Sequence, residues 1–341
     1  MTTKQIDVAI VGAASLIGEA VLSLMVEREF PLGKFYAVDS VEQAGSHIEF
    51  KNEPHPINEL AEFDFSQAQL ALFVGGPQQA ADYANLATQS GCIVVDGTGQ
   101  FSFEDDIPLV VAGVNEEFID DFRQRDLLAT PSSASVLLTS VLKPIDAHAG
   151  IESVQITALL AVSEQGKEGQ EELGRQTAAM MNFQEAKHEV FPERIAFNLI
   201  PQCGALDAHG FTLAEQELIK STHKVLNNDK ISISVTAVQV PVFFCHGEVV
   251  HIKTKQPLGA DKIGEILDNT SGLTVVKETS ASASPTPVSS VTGSDEIQIG
   301  RLRENLDSKH DISLWIVGDN IRRGSAINSV QIAEILVKHY L

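Results

Sequence analysis

The residues between Gly12 and Gly18 have the types and the spacing of a phosphate-binding turn. A short apolar run rich in β-branched residues, Ile6 to Val11, precedes them, and an apolar helical period follows from Leu16. A strand, a glycine turn and a helix direct backbone N–H groups and the positive helix end toward a pyrophosphate. The motif reads G-x-x-S-x-x-G with Ser15 in the middle, so taken alone it fits an ordinary strand-to-helix turn equally well.

An acidic residue follows this turn at the distance expected for nucleotide recognition. The run Lys34 to Asp39 predicts a second strand that ends on an acid. Asp39 lies about 20 residues past the glycine turn, where a carboxylate would hydrogen-bond an adenosine ribose. Glu42 follows, and the neighbouring residues supply no Arg or Lys for a 2′-phosphate. The pattern favours NAD over NADP, and an exposed acidic turn is an equally good interpretation.

Strand and helix patterns alternate through the first third of the chain. Further buried strands are predicted at Leu70 to Val74, Ile93 to Val95, Leu109 to Val111 and Leu127 to Thr130, with a helix at Gln79 to Ser90. Such alternation implies parallel pairing and right-handed crossovers. The sequence therefore predicts an α/β fold with a doubly wound Rossmann-type sheet.

The pattern changes after Glu152. Polar residues at every second position indicate strands of an antiparallel sheet with one covered face, at Val154 to Leu160, Lys230 to Val240, Ile297 to Arg301 and Ile312 to Val317. The Ser/Thr/Pro-rich stretch Thr279 to Glu296 predicts a surface loop. Gly324 to Tyr340 predicts an amphipathic helix that returns to the first domain. The predicted domains are therefore 1–133 plus 324–341, and an α+β domain over 134–323.

Length and charge limit the class of protein. The 341 residues suffice for two domains. The 24 Lys and Arg against 46 Asp and Glu give a net charge of −22, which argues against nucleic-acid and membrane partners. Cys92, Cys203 and Cys245 form neither a zinc pattern nor a disulfide framework, which favours a reducing compartment. With no signal peptide recognised and no apolar run near the roughly 18 residues of a membrane span, we expect a cytoplasmic protein.

Several stretches, in matching order over nearly the whole chain, resemble the aspartate-semialdehyde dehydrogenase family. VGAASLIG resembles its VGATGxVG turn, PLVVAGVN its PLVVPEVN, and RIAFNLIP its IAFNxIP. GSDEIQIGRLR resembles G-x-D-x-[IV]-x-[IV]-G-R-[IL]-R. The most specific match is LWIVGDNIRRGSAINSVQIAE, which resembles W-x-V-x-DN-x-RKGAA-x-N-A-VQIAE. Within the family the chain looks most like the Usg-type paralogues.

The resemblance implies a fold, a cofactor and a mechanism. It implies an NADP-binding first domain and a second domain with a mixed, largely antiparallel sheet through which two chains form a homodimer. The implied reaction belongs to amino-acid biosynthesis. A Cys at the start of a helix attacks the substrate aldehyde, and a His acts as acid and base. Hydride then passes to the nicotinamide, and phosphate cleaves the resulting thioester. The implied cofactor-binding residues are Gly12, Ala14, Ser15, Leu16, Ile17, Gly18, Asp39, Gly76 and Asn320.

Matching the catalytic motifs retains the His but not the nucleophile. The motif N-P-N-C-[ST]-[ST] falls on Thr130 to Ser135, which puts Ser133 at the Cys position, and the acid/base motif ends on His246. A serine hydroxyl has a far higher pKa than a thiol, so a helix N-cap or first-turn serine is the simpler interpretation. Cys245 adjoins His246, but consecutive strand residues face opposite sides, which favours a small buried Cys.

The positions of the substrate and phosphate anchors differ as well. The family's two phosphate-binding cations fall on Ser102 and Glu217, and Glu217 would repel phosphate. The substrate-binding Arg, Glu and Gln fall on Gln239, Ala214 and Leu160, and the loop after Leu160 reads AVSEQG where the family has A-x-S-G-x-G.

Three functions remain compatible with these residues. The first is a non-catalytic nucleotide-binding paralogue whose small-molecule ligand is unknown, with loss of NAD or NADP binding left open. The second is an NAD(P)-dependent oxidoreductase acting on another aldehyde. The third is a hydrolase with a Ser133–His246 dyad, which ranks last because the sequence names no acid to orient the His.

Overall fold

The computed structural model describes residues 5–277 and 284–341, which form two compact units. One comprises Met1–Ser132 and Ser325–Leu341, and the other comprises Ser133–Gly324. The bounds drawn from the sequence differ by one residue at each junction, 133 against 132 and 324 against 325. Residues 279–283 of the predicted loop lie outside the described residues, and the described remainder contains a short π-helical turn at Pro287–Val291.

The described residues of the first unit form a seven-stranded sheet. Its strands are β1 Ile6–Val11, β2 Leu32–Asp39, β3 His47–Phe50, β4 Glu53–Glu59, β5 Leu70–Phe73, β6 Ile93–Asp96 and β7 Leu127–Ala129. They are arranged in the order β3-β4-β2-β1-β5-β6-β7, with β3 antiparallel to β4 and the other pairs parallel. The predicted Rossmann-type sheet is confirmed, with β1 at its centre.

The described residues contain the helices predicted after the glycine turn, near Gln79–Ser90 and at the C-terminus, together with further α-helices in the second unit. They are α1 Leu16–Glu27, α2 Pro77–Gln89, α3 Ser133–Ala149, α4 Gly166–Met181, α5 Leu213–Leu226, α6 Ala260–Asp268 and α7 Ile327–His339. In the first unit α7 packs beside α1, where Arg28 donates to both carboxylate oxygens of Glu334 at 2.8 and 2.6 Å. Within the described ranges, no helix combines the length and apolar character that crossing a membrane requires.

Two details of the first sheet were not predicted correctly. The predicted strand Leu109–Val111 is wrong, because this segment makes only an isolated bridge between Leu109 and Ala129 among the described residues. The side chain of Asn115 takes the place of a neighbouring strand, accepting from Val111 N–H at 2.8 Å and donating to the Leu109 carbonyl at 2.9 Å. Strands β3 and β4 were missed because Pro54 and Pro56 argue against a central strand, and the β3–β4 pair lies at the sheet edge.

The described residues of the second unit form a six-stranded sheet. Its strands are β8 Ile151–Leu160, β9 Ser232–Gln239, β10 His246–Thr254, β11 Leu273–Val275, β12 Ile297–Asn305 and β13 Ser308–Gly318, in the order β11-β12-β13-β10-β8-β9. The three central pairs are antiparallel and the two outer pairs are parallel. The mixed, largely antiparallel sheet is thus confirmed. One face of it packs on α3, α5 and α6 through a core that includes Leu138, Leu218, Val250 and Ile263.

Candidate active site

The glycine turn after β1 is shaped by close backbone packing. Gly12 has φ +86°, and a Cβ added there would lie 2.3 Å from the Cα of Gly75. A Cβ at Gly18 would lie 2.4 Å from the carbonyl oxygen of Gly12. Ser15 caps α1, since its hydroxyl accepts from Gly18 N–H at 3.0 Å and donates to the Val74 carbonyl at 2.9 Å. The glycines are therefore required by the turn itself, whatever it binds.

Asp39 closes this turn from the neighbouring strand. The residue is buried, with 7% of its surface exposed, and its carboxylate accepts from Ala14 N–H at 2.9 Å and Ser40 N–H at 2.8 Å. Gln79, which the sequence analysis did not single out, donates to Asp39 at 3.2 Å and accepts from Gly76 N–H at 3.2 Å. Asp39 is therefore not an exposed acidic turn, and Gln79 links the glycine turn to the start of α2.

A second turn in the first unit follows β6. The carboxylate of Asp96 accepts from Thr98 N–H at 2.9 Å, the Thr98 hydroxyl at 2.6 Å and Phe101 N–H at 3.0 Å. Burial raises the pKa of Asp96, and these hydrogen bonds offset part of that rise. Ser102, matched to a phosphate-binding Arg, is fully buried at the end of this turn.

In the second unit, Ser133 is the first residue of α3 and therefore a first-turn serine. It is 4% exposed, and its hydroxyl donates to Glu164 Oε2 at 3.1 Å. Gly324 lies against it, since a Cβ there would come within 2.6 Å of the Ser133 Cβ. The hydroxyl at the nucleophile position is thus enclosed and hydrogen-bonded to a carboxylate.

His246 begins β10 and is fully buried. Its Nδ1 accepts from Ala161 N–H at 3.1 Å, which assigns the imidazole proton to Nε2. Nε2 lies 2.9 Å from the same Oε2 of Glu164 and donates to it. Ser133 and His246 are therefore brought together through one carboxylate oxygen.

Glu164 is a site residue that the sequence analysis missed. Its side chain is 34% exposed. Burial acts to raise the pKa of Glu164, but the interactions with His246 and the hydrogen bond from Ser133 outweigh it and lower the pKa below its ordinary value. The carboxylate is ionised at neutral pH. The available signal was an acid within the loop AVSEQG at a position where the resembled family has glycine.

The turn that carries Glu164 is fixed by its neighbours. Val162 N–H donates to the Val242 carbonyl at 2.9 Å, and Ser163 N–H donates to the Phe243 carbonyl at 3.2 Å. Asn320, matched to a cofactor-binding position, lies in this unit, where its Oδ1 accepts from the Ser163 hydroxyl at 3.1 Å. The carboxylate of Glu164 is therefore held on a rigid support.

Cys245 is directed away from this arrangement. The assumption of a continuous strand through it is wrong, since β9 ends at Gln239, β10 begins at His246, and Cys245 has φ +75°. Its buried sulfur lies 3.4 Å from the Thr292 hydroxyl, and burial raises the pKa of the thiol to about 12. A neutral buried thiol of this kind is not an activated nucleophile.

The matched substrate positions lie around the same turn and on α5. Gln239 is 4% exposed and donates to the Leu160 carbonyl at 2.8 Å. It also lines a cavity of about 490 Å³, together with Gln165, Gln202 and Cys203. Glu189 contributes a carboxylate, and the described lining holds neither Lys nor Arg. On α5, Ala214 lies in the first turn and Glu217 accepts from the Ser221 hydroxyl at 3.0 Å.

Comparison with known proteins identifies the family of both units. Residues 7–122 match the model of the semialdehyde dehydrogenase NAD binding domain, and residues 142–323 match that of the semialdehyde dehydrogenase dimerisation domain. An aspartate-semialdehyde dehydrogenase of Legionella pneumophila is 38% identical over 339 residues, covering 99% of this chain and 98% of that protein. The chain belongs to the aspartate-semialdehyde dehydrogenase family.

Solved structures of the aspartate-semialdehyde dehydrogenase family share the fold over nearly the whole chain. Aspartate-semialdehyde dehydrogenase II of Vibrio cholerae, complexed with ASA, has a TM-score of 0.96 at 37% identity and covers 99% of this chain and 100% of its own. The Candida albicans enzyme with NADP has a TM-score of 0.74 at 18% identity, covers 98% of each chain and shows likeness of fold alone. The first unit corresponds to the family's NAD binding domain, as the match over residues 7–122 shows.

Proposed function

We propose that this chain is a dinucleotide-binding, Usg-type member of its family that does not catalyse phosphate-dependent oxidation of aspartate semialdehyde. The observation that carries the proposal is the carboxylate of Glu164, which accepts hydrogen bonds from both Ser133 and His246. A serine hydroxyl is a far weaker nucleophile than a thiolate, and a carboxylate whose pKa is lowered is too weak a base to activate it. An attack by Ser133 would also form an ester in place of the thioester that phosphate cleaves. The proposal is also supported by Gln239 and Glu217, which stand where the family has the cations that hold the substrate carboxylate and phosphate.

The alternative functions receive less support from the same geometry. A hydrolase needs the His as base for the serine hydroxyl. Here the Ser133 hydroxyl donates to Glu164, Nδ1 of His246 accepts a backbone N–H, and Nε2 carries a proton. An oxidoreductase acting on another aldehyde would retain the cofactor and would have to use Ser133 in place of a thiolate.

The proposed nucleotide site is the glycine turn of the first unit. The N–H groups of Leu16 and Ile17 lie in the first turn of α1, where no intrahelical acceptor reaches them, so they are suited to a pyrophosphate. Gly12, Ala14, Ser15, Gly18 and Gly76 would line it, and Gly12 and Gly18 allow the close backbone packing that shapes this turn. A nicotinamide bound there would accept or give a hydride. The acids Asp39 and Glu42 support NAD binding at least as well as NADP.

The direct test is the melting temperature with NAD or NADP, combined with a cofactor-reduction assay. A ligand that binds the folded chain must raise its melting temperature, by an amount that grows with concentration. We expect a rise with NAD that equals or exceeds that with NADP, and no cofactor reduction with aspartate semialdehyde and phosphate. A clear preference for NADP would contradict the assignment of the acids, and rapid reduction would contradict the non-catalytic proposal.

We also propose that two chains form a homodimer through the face of the second sheet that α3, α5 and α6 leave uncovered. Val249 lies on this face between its cross-strand neighbours Thr157 and Trp315, and all three are half-buried in the single chain. The match to a dimerisation domain over residues 142–323 supports this assembly.

A further inference from the structure

Three favourable features for an anion converge on one oxygen of Glu164. The Ser133 hydroxyl and His246 Nε2 donate to Oε2 at 3.1 and 2.9 Å, and Ser133 begins α3, whose positive end faces this point. Ser133 is 4% exposed and His246 is fully buried. If the carboxylate were removed, the Ser133 hydroxyl and His246 Nε2 would lose the acceptor that they share.

The two donors are oriented by the protein and not by the carboxylate alone. Ala161 N–H fixes the tautomer and the plane of the His246 ring through Nδ1. Gly324 packs against Ser133, and the carbonyls of Val242 and Phe243 hold the turn that precedes Glu164. Preorganised donors of this kind bind an anion without a cost of rearrangement.

We infer that Ser133 and His246 form a binding site for the carboxylate group of a small molecule, and that Glu164 fills this site as an internal ligand. Glu164 is tethered beside the donors, so its effective concentration exceeds that of free carboxylates, which do not compete in the native chain. An external carboxylate, or a substrate oxygen that needs the same donors, binds only when the Glu164 side chain leaves. The inference rests on the proposed function, in which Ser133 and His246 bind and do not react.

The test uses the variant Glu164→Gly and propionate, which has the atoms of the deleted side chain. We expect the variant to melt below wild type, and its melting temperature to rise by several degrees in a saturable manner as propionate replaces chloride at constant ionic strength. Wild type is expected to show no saturable rise. Propionamide, which has the same shape without the charge, should have no effect on either protein.

Matched variants separate the carboxylate from the backbone change. Gln165→Gly introduces a glycine into the same turn but keeps Glu164, and should not respond to propionate. Glu164→Gln fills the space with a neutral group and should not respond. Adding Ser133→Ala to Glu164→Gly removes one donor and should weaken the propionate response.

The outcomes distinguish this inference from the proposed function. If Glu164→Gly responds to propionate no more than Gln165→Gly does, or equally to propionamide, the inference is wrong, even where NAD still raises the melting temperature. If the variant is unfolded in chloride, recovery of a cooperative transition in propionate supports the site, and failure to recover overturns it. Phosphate-dependent activity in wild type would overturn the proposed function while leaving a propionate response in Glu164→Gly intact.

Discussion

The hydroxyl of Ser133 faces a carboxylate, and this neighbour limits what a thiol at the same position could do. A Cys beside ionised Glu164 would be disfavoured as thiolate, the form needed for attack. Ser133→Cys alone should therefore leave phosphate-dependent oxidation of aspartate semialdehyde undetectable. The replacements at Gln239 and Glu217 add to this, since each lost charge-assisted hydrogen bond costs about 1.5–3 kcal/mol, or about one to two powers of ten in turnover.

The absorbance of the reduced cofactor, followed with and without phosphate, measures the oxidation of aspartate semialdehyde by wild type and by Ser133→Cys. A melting curve of each protein shows that the substitution has not unfolded it. Activity in the variant alone would show that Ser133 by itself silences the enzyme, and that the matching of the anchor positions is wrong.

Glu248 is a buried acid outside the hydrogen-bonded site. Its side chain is fully buried on β10, and within the described residues neither carboxylate oxygen has a hydrogen-bond partner. Burial raises its pKa well above the ordinary value, so the folded chain keeps it protonated, whereas the unfolded chain ionises it above about pH 4.3. The free energy of unfolding is therefore unaffected by this group below that pH. It decreases as the pH rises further, because only the unfolded state releases the Glu248 proton.

Glu248→Gln should remove this titration while keeping the shape of the side chain. Relative to wild type, the variant's free energy of unfolding should grow from near pH 4.5 toward pH 7, by up to about 1.4 kcal/mol per pH unit. Urea unfolding at a series of pH values measures the difference. Glu171→Gln, at an exposed position of α4, controls for the loss of a carboxylate. A difference that does not grow with pH would show that Glu248 is not held protonated.

Sequence reasoning reached the glycine turn but not Glu164, for a physical reason. The turn is encoded locally, because the β1 pattern, Gly12 and the α1 pattern follow one another along the chain. The role of Glu164 depends on Ser133 and His246, which are 31 and 82 residues away. No local periodicity encodes such contacts, and a glutamate in a polar loop has the same pattern whether it is exposed or hydrogen-bonded to the site.

At the scale of elements, a side chain of α7 pairs with backbone groups in and next to the segment that was wrongly predicted to be a strand. Asn328, fully buried on α7, accepts from Ala112 N–H at 2.8 Å and donates to the Val110 carbonyl at 3.1 Å. The apolar run Leu109–Val111 is buried as a strand would be. Its Val110 N–H donates to the Ala129 carbonyl at 2.8 Å, but Leu109 C=O, Val110 C=O and Val111 N–H are paired with asparagine side chains. The burial of Leu109–Val111 could be predicted from its apolar composition. Whether its backbone groups would pair with a strand or with side chains could not.

Asn328→Ala should destabilise the first unit by leaving these two backbone groups unpaired. Each buried group left without a partner costs about 1–3 kcal/mol, so the loss should exceed 1 kcal/mol and lower the melting temperature by several degrees. Thermal and urea unfolding measure it. Gln331→Ala, at a partly exposed position of α7, is the matched control and should change stability by less than about 0.5 kcal/mol. Equal effects of the two changes would show that the Asn328 hydrogen bonds do not dock α7.

At the scale of the whole molecule, one face of the second sheet is not covered by α3, α5 or α6, and the π-helical turn Pro287–Val291 packs against part of it. A Cβ at Gly247 would lie 2.0 Å from the Trp315 ring, so the indole lies flat across this face of the sheet. Its Nε1 donates to the Pro285 carbonyl at 2.9 Å, which satisfies the polar edge and leaves the apolar surface for a partner. The sequence predicted an uncovered face from the alternating pattern, while the identity of the partner came from the resemblance.

The expected assembly is a homodimer that Val249→Lys should dissociate. Around a twofold axis the same patch occurs on both chains, so a lysine at its centre brings two like charges together as the apolar contact is lost. Light scattering at micromolar concentration should give twice the 36.8 kDa chain mass for wild type and the single mass for Val249→Lys. Glu171→Lys, at an exposed position of α4 that is not part of the Thr157, Val249 and Trp315 patch, makes a larger change in charge and should remain dimeric.

Each chain carries a net charge of −22, so the dimer should also weaken at low ionic strength, where repulsion between the chains is less screened. A monomeric wild type at physiological salt, or a dimer unaffected by Val249→Lys, would place the interface elsewhere or exclude it.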